Sequence, residues 1–205
     1  MPIDLLLLSS GIHGREMAEI IRRHGGYNLL GIIRREDTRE QISPDGIPVL
    51  GGPSALSRFP DAGLVHDNEW PREHLCGPEI AGRLVHLIDP SAYVHPSAVV
   101  PGGCVIYPNC FIGAEAVLGE SCFLLSGAVV NHNCAVGKNV VMATGAHLAG
   151  SVKVGDRAYI GQDATVRQLL SIGRDTLIGM GAVVIRDVPD HAVMAGNPAR
   201  LIRMK

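Results

Sequence analysis

Nine histidines, five cysteines and two short basic clusters are the groups in this chain able to act as bases, nucleophiles, metal ligands or anion clamps. Four histidines, His95, His132, His147 and His191, lie beyond residue 87, and an imidazole can exchange a proton near neutral pH. Three converging imidazoles would instead hold zinc and leave an open coordination place, as in a trimeric carbonic anhydrase. His132 and His147 are 15 apart and no H-x4-H pair occurs, so that reading is disfavoured and no metal is expected. The cysteines are odd in number and form no C-x-x-C pair. Four of them, Cys104, Cys110, Cys122 and Cys134, are separated by 6, 12 and 12 residues. Neither a disulfide framework nor a zinc knuckle imposes multiples of six. A turn, Ser9-Ser10-Gly11-Ile12-His13-Gly14, follows an apolar run and precedes a helix-like stretch, which predicts a phosphate-sized anion site at the helix start. The plainer alternative is that Gly11 and Gly14 only permit the turn.

The arithmetic of the cysteines extends to the elements that must position these groups. From Ile88 to Val184 every sixth residue is aliphatic, seventeen in succession, and the fifth place of each hexad is small or apolar, as at Ala98, Cys104, Cys110, Ala116, Cys122 and Ala128. The cysteines therefore read as small core residues. A helix turns about 100° per residue, so a six-residue step would leave no fixed apolar stripe. In extended chain, by contrast, place five and the following place one face the same side. Each hexad is thus a short strand with a corner, the sign of a parallel β-helix. Three hexads close one 18-residue coil, and residues 88–189 make a little under six coils. Residues 18 apart then share a corner: Ala114, His132, Gly150, Gln168 and Arg186 form one column, and Ser126, Thr144, Gln162 and Met180 another. Gly150, next above His132, is expected to leave open space there. His147, at a sixth place, is expected at the surface or lining a groove.

The first 87 residues follow a different grammar. Ile3 to Leu8 reads as a strand, Arg15 to His24 as a helix closed by Gly25-Gly26, and Leu29 to Ile33 as a second strand, giving a βαβ start. Further short strands are expected at Ile47 to Leu50, Gly63 to His66 and Leu84 to Leu87. Only two glycines of a dinucleotide fingerprint remain, and Arg34 and Arg35 stand where the ribose-binding acid of an NAD site belongs, so NAD binding is disfavoured.

Composition narrows the function. The 25 glycines in 205 residues exceed the usual ~7%, and aromatics are only 4%. Eighteen basic against twenty acidic residues give a net charge of -2, which disfavours nucleic acid and anionic membrane as partners. No apolar run approaches a spanning length of roughly 18 residues, and no leader-like segment opens the chain, so the expected location is the cytoplasm.

Several segments together carry a resemblance: Ser10 to Gly14, Pro48-Val49-Leu50-Gly51-Gly52, Asp89-Pro90-Ser91-Ala92, Val130-Asn131-His132-Asn133-Cys134, and Gly196-Asn197-Pro198-Ala199-Arg200. With them the chain resembles the bacterial hexapeptide-repeat sugar acetyltransferases of the NeuD/PglD type over nearly its whole length. The resemblance implies a Rossmann-like α/β domain over 1–87, a left-handed parallel β-helix over 88–189 and a C-terminal extension over 190–205. It also implies a homotrimer with acetyl-CoA as co-substrate in the groove between adjacent prisms, and a sugar or nucleotide-sugar acceptor. His132 matches the general base and Asn133 its orienting neighbour. Gly150, Gln162 and Met180 match acetyl-CoA contacts, largely through main chain. Gly11, Ile12, His13, Arg34, Arg35 and His66 match the nucleotide-sugar site. The basic ending, Arg200, Arg203 and Lys205, is expected either at the CoA phosphates or as a solvated tail.

Departures from the pattern bear on activity. The family places an acid after the catalytic histidine, and here Asn133 stands there without a charge. Losing the orienting acid of a serine-protease triad lowers turnover by about 10⁴. An amine acceptor, already partly unprotonated, tolerates a weaker base, which tilts the expectation towards N-acetylation over sialic acid O-acetylation. Leu125 and Val141 replace polar groups of relatives, and Arg34 and Arg35 replace paired acids that contact the nucleotide base, so the acceptor is not carried over. The remaining alternative is a nucleotide-sugar binder that kept the fold and lost the chemistry.

Overall fold

A computed structural model describes residues 2–68, 80 and 82–205. The chain divides into two compact units, Met1–Asp89 and Pro90–Lys205.

In the first unit, β1 (Ile3–Leu8) leads into α1 (Ile12–His24), and the chain returns through β2 (Tyr27–Ile33) parallel to β1. Two short strands complete the sheet, β3 (Val49–Gly51) beside β2 and β4 (Gly63–His66) on the other side of β1, in the order β3-β2-β1-β4 with all pairs parallel. Leu5 to Leu8 are wholly buried, as expected of a parallel strand covered on both faces. Against it α1 turns Met17, Ala18, Ile20 and Ile21, and it ends on Gly25 at φ 69, a left-handed cap that glycine adopts at least cost. The helix starts at Ile12, three residues earlier than the apolar period suggests, because Gly11 is already extended and serves as its N-cap. The strand expected at Leu84 to Leu87 is smaller than its apolar run: Leu84 makes an isolated bridge to Leu64, and the strand itself is Leu87–Ile88. The order of this sheet reverses between β1 and β4, the kind of switch point at which open α/β sheets offer a crevice off the carboxyl ends of their strands; Ser9 and Gly11 follow β1 there and Asp67 follows β4.

The second unit is a parallel β-solenoid with three faces. One face stacks strands from Val105–Ile106 to Leu177–Ile178 and then Ala192–Ala195; the next stacks six, from Tyr93–Val94 to Val183–Val184; the third runs from Val117–Leu118 to Ser171–Ile172. Pairing advances by one coil each time, as in Phe111↔Val129↔His147↔Thr165. The two inward places of the hexad are sealed: Cys104, Ile106, Ile112, Ala116, Cys122, Leu124, Ala128 and Val130 have at most 2% exposure. The thiols also find acceptors one coil on, Cys104 to the Gly119 carbonyl at 3.2 Å, Cys122 to Gly137 at 3.1 Å and Cys134 to Ala149 at 3.1 Å. These distances confirm the cysteines as packing residues.

Corners explain the rest of the period. Every sixth residue from Gly103 to Gly181 has positive φ, including Asn109, Glu115, Asn133 and Asp163. The glycine that often follows the aliphatic residue of a hexad is required by stacking: a Cβ on Gly119 would lie 2.6 Å from the backbone of Gly137 and Lys138 in the next coil. Strand stacking leaves only about 4.8 Å between coils. After the last coil the chain adds Ala192–Ala195 parallel to Leu177–Ile178 and turns back as the antiparallel strand Arg200–Met204, which is exposed throughout.

Candidate active site

His132 stands on the corner between the second and third faces, exposed in the single chain. Its Nδ1 lies 2.9 Å from Asn133 Oδ1. Asn133 holds φ 58, a left-handed conformation that asparagine adopts more readily than most residues, so the corner itself favours this side chain. The Cε1–Nε2 edge of the ring lies over Gly150: a Cβ there would be 2.6 Å from both atoms and 3.3 Å from Nδ1. The open space expected above Gly150 is therefore filled by the imidazole. Glycine is needed here for the ring, and the backbone of Ser151 is tied back to the His132 carbonyl at 2.9 Å.

One residue the motif did not single out joins this group. Glu115 lies 18 residues before Asn133, and its Oε2 is 2.5 Å from Asn133 Nδ2. Its backbone N–H donates to Ser97 Oγ, another coil earlier, at 3.0 Å. The 18-residue interval was the available signal, but it becomes meaningful only when a specific corner is known to carry the chemistry.

Gln162 and Met180 lie on the corner between the first and second faces, joined by the Gly181 N–H to Gln162 carbonyl bond at 2.7 Å. Both side chains are exposed, Met180 at 73%. The expected acetyl-CoA contacts are thus divided between two corners that bound one face. His147 is exposed on that face, paired in register with Val129 and Thr165. Leu125 is half-buried and Val141 buried.

In the first unit a cavity of about 300 Å³ opens beside the N-terminus of α1, lined by Ser9, Ser10, Gly11, Ile12, Arg34 and Glu40, with Asp45 and Ile47 opposite. Of the nucleotide-sugar residues suggested by resemblance, Gly11, Ile12 and Arg34 line it. His13, which meets Glu16 at 3.3 Å, Arg35, which is exposed, and His66, which is buried, do not. Arg34 is held by Glu40, 2.7 Å from Nη2, and donates to the Ser9 carbonyl at 3.2 Å. Arg15 grips Asp45 through two bonds of 2.7 Å, and this guanidinium holds the carboxyl below its usual range. Asp67, fully buried at the end of β4, accepts the Ser9 hydroxyl at 2.5 Å. Among the described residues no group of three or more His, Cys, Asp or Glu is placed to hold a metal ion, and no helix is long and apolar enough to cross a membrane.

The two-unit architecture has solved counterparts. The acetyltransferase domain of PglB from Neisseria gonorrhoeae, solved with acetyl coenzyme A, is 31% identical, with a TM-score of 0.88 over 98% of this chain and all of that one. The chain belongs to the hexapeptide-repeat sugar acetyltransferases. PerB from Caulobacter crescentus, solved with CoA and GDP-perosamine, matches this hexapeptide-repeat protein equally well in sequence, at 31% identity and a TM-score of 0.86 over 98% of this chain and 97% of PerB. A further relative, serine acetyltransferase 2 of Arabidopsis thaliana, is 48% identical over 40 residues, which is 12% of its own length. The chain thus spans a small part of that curated relative. No protein-family model matches the chain.

Proposed function

We propose that this protein transfers the acetyl group of acetyl-CoA to the amine of a nucleotide-linked sugar, with His132 as general base. The observation that carries the reading is the His132 corner, with Nδ1 bonded to Asn133 and the Cε1–Nε2 edge of the ring over Gly150, in a chain matched end to end by acetyltransferases. The Nε2 lone pair takes a proton from the neutral sugar amine as its nitrogen attacks the thioester carbonyl. A C–N bond forms, the C–S bond breaks, and the CoA sulfur leaves with the proton returned by the imidazolium.

The division of Gly150 from Gln162 and Met180 supports a groove shared between chains, because one corner of a prism can face a different corner of its neighbour. Such a head-to-tail contact closes into a ring, and a homotrimer is the ring proposed. The nucleotide is assigned to the cavity beside α1, whose N-terminus favours phosphate and whose Gly11 cap carries no side chain to compete. GDP-perosamine, bound by PerB, is the type of acceptor this predicts: an amino sugar on a nucleoside diphosphate.

The test is thiol release from acetyl-CoA in the presence of GDP- and UDP-linked amino sugars, with His132→Ala as control. Release that falls by about 100-fold or more in the variant is expected. Unchanged release would remove His132 from the reaction. Tight nucleotide-sugar binding with no release from the parent protein would establish a non-catalytic binder instead, and light scattering gives the number of chains.

A further inference from the structure

We infer that Glu115 is a positioning residue for His132, acting through the side-chain amide of Asn133 and supplying from the previous coil the negative charge missing at position 133. The inference rests on the reading of His132 as the base. It follows from hydrogen-bond logic. A carboxylate can only accept, so the Asn133 atom 2.5 Å from Glu115 must be Nδ2. This settles which way the amide points, a choice otherwise made from the surrounding bonds. Oδ1 then faces the imidazole, and because an amide oxygen can only accept, Nδ1 of His132 must carry the proton. A neutral ring protonated at Nδ1 has its lone pair on Nε2, on the edge over Gly150. Without the carboxylate the amide could turn over, present its NH2 to Nδ1 and favour the opposite tautomer, which has no lone pair at Nε2.

The corner favours asparagine at 133, but neither backbone nor ladder stability accounts for the carboxylate at 115. Glu115 sits at φ 58, where asparagine or glycine is the easier choice. Elsewhere in the solenoid, charges one coil apart pair directly, Lys138 with Glu120 at 2.8 Å and Arg157 with Asp175 at 2.7 Å. A stabilising ladder on this corner would place a cation at 133. Instead the carboxylate ends on a neutral amide whose other end holds the imidazole. The Glu115 amide bond to Ser97 Oγ fixes the backbone from which the carboxylate reaches.

Both Glu115 and His132 are exposed in the single chain, so water moderates the effect. The outer partner of a metal-ligating histidine is typically worth about 10–100-fold, and the same order is expected for a partner that fixes the tautomer of a base. The experiment uses the full chain and two readouts. In the first, Glu115→Gln and Glu115→Ala lower kcat about 10-fold or more, while KM for acetyl-CoA and acceptor stays within about twofold. The double substitution Glu115→Gln with Asn133→Asp reverses the donor and acceptor along the same path, places the carboxylate next to the ring, and restores kcat. In the second, long-range ¹⁵N–¹H spectra of the His132 ring show the Nδ1–H tautomer in the parent and loss of its dominance in Glu115→Ala. The proposal is overturned by unchanged kcat in both single variants, by failure of the double variant to recover while it remains folded, or by an Nε2–H tautomer in the parent. If the parent transfers no acetyl group, the functional reading fails, and the ring spectra alone decide the role of Glu115.

Discussion

Replacing Gly150 by alanine adds one methyl group at the place where the structure leaves none free. The new Cβ would lie 2.6 Å from Cε1 and Nε2 of His132, and ordinary contact begins near 3.4 Å, so the ring must withdraw by about 0.8 Å. Gly150 does not hold a left-handed φ, so alanine fits its backbone, and the atoms in conflict belong to the end of a side chain that can turn. Two consequences separate. Stability should hardly change: gain from a less flexible unfolded chain, about 0.4–1 kcal/mol, is offset by a displaced rotamer of about 0.5–1.5 kcal/mol. At about 2–4 °C per kcal/mol for a chain of this size, Tm should stay within a few degrees. Catalysis should suffer, because a misplacement near 1 Å costs about 10²-fold, or ~2.7 kcal/mol of barrier. Thiol release under saturating acetyl-CoA and acceptor measures the second quantity, and calorimetric melting the first. Parental kcat at an unchanged Tm would refute the claim that the position of this ring matters. A Tm lower by ten or more degrees would show that the clash is absorbed by the coil rather than by the imidazole.

Two further outcomes follow from buried and paired groups. Cys104, Cys110, Cys122 and Cys134 are sealed in the solenoid, and burial pushes the Cys134 thiol up, so brief maleimide treatment of the native protein should leave all four unlabelled and denaturant should expose them; peptide mapping that finds native labelling at Cys134 would contradict the packing. Asp45, held down by its hydrogen bonds to Arg15, is more acidic folded than unfolded, so its stabilisation is present above the unfolded value near ~3.9 and disappears as pH falls through the lower folded value. Because this pair is exposed, Asp45→Asn should lower Tm only slightly at neutral pH in dilute salt, and the difference from the parent should vanish in strong acid and in ~1 M salt; a difference that persists in acid would mean the pair is not its cause.

The hexad period by itself determined the solenoid. A side chain that must be apolar every sixth residue, with a small one two places earlier, can satisfy burial only in an extended chain that turns a corner each time. Cys104, Ile106, Cys122 and Leu124 are accordingly sealed where the period places them. The βαβ start was legible for the same reason: Leu5 to Leu8 form a continuous apolar run, and Gly25 marks the helix end through its left-handed φ. These are local rules, in which each residue's own chemistry suffices. The small features were less legible, since a helix start depends on the backbone angle of Gly11 and the strand near Leu84 on which neighbour it meets.

The site needed the third dimension. Sequence could place Gly150 in the column of His132, but whether that space was vacant or filled depends on a side-chain rotation that no spacing encodes. It showed Asn133 where a charge was expected and left the charge missing. Stacking decided otherwise, because coils about 4.8 Å apart bring side chains 18 residues distant within hydrogen-bonding reach. Glu115 thereby meets the amide that meets the imidazole. Likewise Arg34, read from sequence only as a basic residue at the nucleotide-sugar site, is matched to Glu40 once the chain folds. Identity along the chain sets which groups are present; only packing sets which of them touch.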